Sequence, residues 1–380
     1  MKTEKSKIVV DEAQVELVED NHAKGMEVFK KINVTSQAVS RRHLPQWALA
    51  WMVLVPALIF LFVFMVYPII NTFVIAFLEN FSWVKGAGSF SIANIIRAFE
   101  LRGTYDPILD VWYGDPPSFN FNNFINIFTN ENRFFINSLA NTAIIVFVSV
   151  PLTIVVSLLI SGLLNSIKVL RGFFQTIFFL PYVTNTLALG IVFNALFSSS
   201  ENGIVNAALI EIGSWFGANV EARDWVTSPY AEKWAAGVVI IIYGIWNGLA
   251  FKILVFMGGL ATIDKQYYDA AKVDGAKGGT IFRRITLPLL SPQILYITIT
   301  SFIGAFKAFT GVRAVFVGST LYYFGGLDGR QWMTVVGYIY ELMQNGGNMG
   351  WASAGSVTLL VIILIITGIQ FLISKKRVHY

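Results

Sequence analysis

Beyond residue 49 the chain alternates long apolar runs with polar stretches. Six runs, at 50–78, 138–164, 173–197, 235–260, 293–316 and 352–373, reach the ~20 residues a helix needs to cross a bilayer. The pattern predicts an all-α membrane protein of six transmembrane helices. The first run follows a polar tail, whereas a cleaved signal peptide would start near the N-terminus with a shorter apolar core, so it is expected to be a true span. Pro56, Pro68, Pro151 and Pro181 fall inside runs, where neighbouring helices can satisfy the freed backbone groups. The tail 1–49 mixes acids and bases without strong apolar periodicity and is expected to be disordered or a loose surface helix.

Basic residues set the orientation. With both ends in the cytoplasm, the inner segments 1–49, 165–172, 261–292 and 374–380 hold 18 of the 28 Lys and Arg, the outer segments hold 7, and 3 lie within runs. The positive-inside rule therefore predicts N-in, six spans, C-in. All tryptophans but Trp246 lie in outer loops or near a span end, as interfacial anchoring requires. The expected division is a cytoplasmic tail 1–49, a first helix with a long extracellular loop over 50–137, a core over 138–373 containing the inner loop 261–292, and a cytoplasmic tail 374–380. A further helix is predicted around 203–216 in the outer loop 198–234.

Composition agrees. Residues are 55% hydrophobic and 13% charged, against about 25% charged in soluble domains, too few to clothe a water-soluble fold. There is no cysteine, and His22, His43 and His379 all lie in the tails, so no metal site or cofactor is expected, nor a nucleic-acid partner. No G-x-x-x-x-G-K-[ST] loop is present, so the chain cradles no nucleotide phosphate. None of the six runs contains Asp or Glu, which weighs against an ion-driven transporter with carboxylates at membrane depth. The chain reads as a non-catalytic subunit energised by a separate one.

The inner loop 261–292 is the most specific stretch. Lys265, Asp269 and Lys272 stand at helical spacings, predicting a short helix over 265–273. Gly275 can take the left-handed conformation that ends it. A second segment, 278–286, runs until Pro288 and Pro292 redirect the chain. Small Ala270 and Ala271 at the tip leave room for another protein surface.

Asp269, Ala270, Ala271, Gly275, Ile285, Leu287 and Pro288 occupy seven positions across twenty residues that resemble the EAA loop of ABC importer permeases: Glu-Ala-Ala, three residues, Gly, nine residues, Ile, one residue, Leu-Pro. Phe121-Asn122-Asn123-Phe124 before Asn141-Thr142, Arg171–Phe174 through Leu180-Pro181, and Trp351–Gly355 resemble the carbohydrate-uptake branch, of the maltose or multiple-sugar type. The resemblance covers about 119–373. Departures are Asp269 for the usual Glu, Asp264 where many relatives have proline, and no recognisable Gly-Gly-Pro segment in 317–332. The resemblance implies a type I ABC importer transmembrane fold in the bacterial cell membrane. It implies a second similar permease (a heterodimer), two ABC ATPases, an extracytoplasmic solute-binding protein and a sugar cargo, most often an oligosaccharide. The loop would be a coupling helix seated on the ATPase, with Asp269 pairing a base there, Asp274 beside it and Gly275 making the turn.

Polar residues inside the spans are candidates for the solute pathway. Tyr243, Trp246 and Asn247 on the fourth run could stack on and hydrogen-bond a sugar, or pack between helices. Lys307 would bind an anionic group on the cargo, face a watery vestibule, or pair with an acid of the second permease. Arg313 and Lys252 stand nearer span ends and are expected to snorkel. Asn194 and Gln175 on the third run line the pathway or bond between helices. The outer loop 79–137 could dock a binding protein through 105–112 or serve as a lid. Two alternatives remain open: an importer of an anionic solute such as a phosphorylated polyol, and a membrane-embedded enzyme acting on lipid or glycan. The enzyme would need clustered acids, and the nearest set, Asp106, Asp110 and Asp115, reads as a polar loop around Pro107, Pro116 and Pro117.

Overall fold

The computed structural model describes residues 24, 45–79, 104–106, 111–113, 118–129, 134–167, 171–226, 233–317, 332–346 and 349–374. Most of both tails, Asp110, Asp115 and the expected site of the missing Gly-Gly-Pro segment lie outside them. The chain forms two units, Met1–Ile69 and Ile70–Tyr380. In the first, α1 (Gln46–Leu61) tolerates Pro56 and passes through a π-helical turn at Phe62–Val66. Every side chain from Trp51 to Met65 is exposed, an apolar surface suited to lipid.

The next helix, α2 (Tyr67–Ala76), begins in the first unit and continues into the second, where it leads to β1 (Leu78–Glu79), and β2 (Thr104–Asp106) and β3 (Val111–Tyr113) pair antiparallel with Tyr105 opposite Trp112. The strand β4 (Ser118–Phe119) returns to β1, with Leu78 opposite Phe119. On α3 (Asn122–Thr129), buried Asn123 donates to the carbonyls of Ala76 at 3.1 Å and Leu78 at 2.8 Å. These small sheets modify the expected all-helical fold without changing its class.

The centre is α4 (Phe134–Ser166), which runs through Pro151. Ser149, Thr153, Ser157 and Ser161 form a buried polar stripe on it. Their hydroxyls donate to carbonyls of their own helix, so the stripe enters a packed interior without orphaned donors. The next elements are α5 (Arg171–Val183), α6 (Thr186–Leu196) and α7 (Ile204–Trp215), the last where the outer-loop helix was predicted. Buried Asn206 on α7 fastens this region: its amide nitrogen donates to the carbonyls of Ser198, Ser200 and Arg223, and its oxygen accepts from the Trp225 indole at 2.8 Å.

The helix α8 (Lys233–Thr262) packs along α4, its most extensive neighbour. Glycines permit the approach: a Cβ at Gly244 would stand 3.4 Å from the Ser149 side chain, and one at Gly248 3.2 Å from Thr153. Small residues play this part where helices meet in membranes. Beyond α8 come α9 (Lys265–Val273), α10 (Gly278–Ile281) with a π turn at Phe282–Thr286, and α11 (Leu287–Leu289). The last elements are α12 (Ser291–Phe306), α13 (Thr310–Val315), α14 (Val335–Glu341) and α15 (Met349–Ser374). At the start of α14, the Met333 carbonyl accepts from Asn141 at 3.2 Å and the Val335 amide donates to Thr142 at 3.0 Å.

Among the described residues four helices are long and apolar enough to cross a membrane: Ala50–Ala76, Phe134–Ser166, Lys233–Thr262 and Met349–Ser374. Gly278–Leu289 with Ser291–Phe306 adds a fifth when taken as one span bent by 66°. Two expected continuous runs are broken. The run 173–197 divides between α5 and α6, where Asn185 leaves helical geometry and its side chain caps α6 by accepting from the Leu187 amide at 2.8 Å. The helix of the run 293–316 stops at Phe306 and resumes at Thr310, with Phe309 outside helical geometry at φ −144° and ψ −70°.

Candidate translocation cavity and coupling loop

The two breaks face the same space. A cavity of about 1120 Å³ lies between α4, α8 and the interrupted pairs α5–α6 and α12–α13. Thr184, Asn185 and Thr186 line it from the first break, and Lys307, Ala308 and Phe309 from the second. Interrupted helices expose backbone dipoles that a continuous helix hides, and such backbone is tolerated at membrane depth only inside protein or against water. The packing that holds the breaks is tight. A Cβ at Gly190 on α6 would collide with Ala314 on α13, and one at Gly311 would collide with the Tyr243 hydroxyl. Those two glycines let α6, α13 and α8 close around one end of the cavity, where the Tyr243 hydroxyl donates to the Thr186 carbonyl at 3.3 Å.

Three of the five expected pathway residues, Tyr243, Asn247 and Lys307, lie in this wall. Trp246 does not, because its helical position turns it away, and it is 39% exposed elsewhere on the surface. Asn194 is also absent from the wall and donates to the Val315 carbonyl at 2.7 Å, tying α6 to α13. Gln175 lies 3.5 Å from the Met257 sulfur, between helices.

Lys252 differs from its expected place. Rather than snorkelling to a helix end, it is 8% exposed, and its ammonium donates back to the Gly248 carbonyl at 3.0 Å. It stands ten residues before the last residue of α8, ~15 Å along the axis, too far for its stem to bring the charge to the interface. Gly248 makes the fold-back possible, since a Cβ there would stand 2.8 Å from the ammonium. Arg313 instead lays its guanidinium 4.8 Å from the Tyr340 ring centroid, a cation–π contact. Sequence reasoning missed the wall positions Thr184, Asn185 and Thr186. The signal was Asn185 itself, a strong N-cap residue set within an apolar run four positions after a proline.

At the end of α8 the predicted loop helix is α9, over Lys265–Val273 as expected. Asp264 caps it by accepting from the Gln266 amide at 2.9 Å. Gly275 has φ +73°, and the Ala276 amide donates to the Ala271 carbonyl at 2.9 Å, the closing bond of a Schellman motif. Lys272 and Asp269 pair at 3.7 Å on the exposed face. Asp269, Ala270 and Asp274 are exposed and Ala271 half-buried, while Ile285, Leu287 and Pro288 lie half-buried on the return segment. The Tyr268 hydroxyl meets that of Thr286 at 3.3 Å, joining α9 to the segment entering α12.

Residues 127–379 match the family described as binding-protein-dependent transport system inner membrane component. The chain belongs to that family. It is 29% identical over 330 residues to the lactose transport system permease protein LacF of Rhizobium radiobacter, covering 86% of this chain and 94% of the relative. It is 30% identical over 244 residues to the arabinooligosaccharides transport system permease protein AraP of Halalkalibacterium halodurans, covering 64% and 72%. A crystal structure of a bacterial ABC transporter involved in the import of the acidic polysaccharide alginate contains a chain of similar fold. Its TM-score is 0.62 at 21% identity, over 92% of this chain and 99% of that one. The protein is thus an ABC transporter permease subunit of the inner membrane that works with a solute-binding protein, and not an enzyme.

Proposed function

We propose that this chain forms half of the translocation pathway of a sugar importer, with six spans and both ends in the cytoplasm. A second, similar permease supplies the other half, two ABC ATPases seat α9, and an extracytoplasmic binding protein delivers an oligosaccharide. Relatives named for lactose and arabinooligosaccharide transport support the sugar, and aromatic Tyr182, Tyr243 and Phe251 beside Asn185 and Asn247 offer ring faces and amides suited to one. Six spans follow if α5 and α6 together cross once, as the apolar run 173–197 suggests.

The observation that carries the reading is α9 with its fixed ends and its tie to α12. A part that transmits motion must not yield, and this one is capped by Asp264, closed at Gly275 and joined to the return segment through Tyr268 and Thr286. ATPase closure pushes α9, α9 moves the helices walling the cavity, and access alternates from one membrane face to the other. Asp269, Ala270, Ala271, Asp274 and Gly275 form the contact, with Ile285, Leu287 and Pro288 as its base.

The test is ATPase activity stimulated by loaded binding protein, using the complex purified with its co-expressed partners. Asp269→Arg reverses the charge at the contact, and Gly275→Pro imposes φ near −65° where the backbone has +73°. Both are expected to abolish stimulation while the subunits still co-purify. Wild-type stimulation in both variants would overturn the coupling assignment.

A further inference from the structure

The charge of the cavity wall is one-sided. Among the described residues it contains two lysines, Lys252 and Lys307, and no aspartate or glutamate. They reach it from different elements, Lys252 from the middle of α8 and Lys307 from the break between α12 and α13. An ammonium has three donors. That of Lys252 gives one to the Gly248 carbonyl, and its others meet no acceptor among the described residues. Lys307 likewise forms no ion pair with a described residue. Burying an ammonium without a counter-charge is unfavourable at membrane depth, and the Gly248 notch holds Lys252 in the interior rather than letting it reach the interface.

A neutral sugar needs no such charge, because hydroxyls and amides satisfy its groups, and the wall already carries Thr153, Asn185, Asn247 and Ser301. Resting on the sugar-importer reading, we propose that the cargo is an anionic saccharide whose carboxylate or phosphate is held by Lys252 and Lys307. The remaining rings and hydroxyls are met by the aromatic and hydroxyl groups of the same wall. Carboxylate and phosphate present the same chemistry to two ammonium groups, so the experiment separates them.

The intact transporter, with its partner subunits and binding protein, is reconstituted in proteoliposomes and assayed for ATP-driven uptake. The probes are galacturonate di- to tetrasaccharides, their methyl esters as neutral counterparts, glucose 6-phosphate, and lactose. Lys252→Met and Lys307→Gln are compared with Lys252→Arg and Lys307→Arg. An acidic probe is expected to be taken up at least tenfold faster than the neutral ones. Each charge-removing variant should cut that uptake about tenfold, with the arginine variants near wild type. Preference for the galacturonates or for the sugar phosphate identifies the anionic group. Uptake of neutral probes alone would overturn the inference and leave the sugar importer standing, as would acidic uptake indifferent to both lysines. If Lys307→Gln, at an exposed position, prevents co-purification of the second permease, the lysines serve assembly and the inference fails. If no saccharide of either kind is taken up, the sugar reading falls with it.

Discussion

At the residue scale the site depends on what certain side chains leave out. Gly311 lets the Tyr243 ring lie against α13, and its replacement by alanine would drive a methyl into the hydroxyl and the ring carbons behind it. Overpacking of this kind costs ~1–3 kcal/mol, and here the displaced group lines the cavity. Gly311→Ala is therefore expected to lower transport severalfold while the complex still assembles. Gly304→Ala is the control: Gly304 also lines the cavity, but a Cβ there meets nothing within 4 Å. Equal transport by the two variants would show that the Tyr243 position does not matter. Tyr243 and Asn247 were legible as polar groups in an apolar run. Gly311 was not, because a requirement for no side chain is set by a partner helix remote in sequence. Lys252 was misjudged for a related reason: residue spacing gives distance from a helix end, while the Gly248 notch that turns the side chain inward appears only in three dimensions.

At the element scale the informative features are the interruptions. Apolar content marks what can sit in a membrane, but it does not separate one long helix from two short ones, so 173–197 and 293–316 read as continuous. Local chemistry decided otherwise at Asn185, whose side chain gives α6 its own start. Replacing Asn185 by leucine removes that cap, worth ~1 kcal/mol, and makes continuation of α5 into α6 more favourable. The expected outcome is near-normal thermal stability of the complex with transport reduced severalfold, because Thr184 and Thr186 would turn with the straightened helix. Unchanged transport, measured beside Tm, would mean that the break plays no part in the pathway. By contrast, α9 was legible to the residue, since its signals are local: opposite charges at helical spacing and a glycine where the chain must turn left-handed.

At the scale of the whole molecule, orientation is the property that composition argues most directly and that no contact within the fold can test, because a bundle packs identically whichever way it faces. The thirty residues of α8 extend ~45 Å, enough to place its ends on opposite membrane faces. The region of α7 precedes it and α9 follows it, so one must be outside and the other inside whatever the total number of spans. The excess of Lys and Arg in 261–292 and the tails predicts that α9 lies in the cytoplasm. The chain has no cysteine, so single replacements report without background. Ser214 beside the end of α7 and Lys277 beyond α9 are both exposed. In spheroplasts, Ser214→Cys is expected to react with a membrane-impermeant maleimide from outside, and Lys277→Cys only after permeabilisation. The reverse pattern would invert the protein and put α9 out of reach of any cytoplasmic ATPase. Labelling of both from one side would mean that α8 does not cross, and with it the cavity between α8 and α4 could not open to two faces in turn.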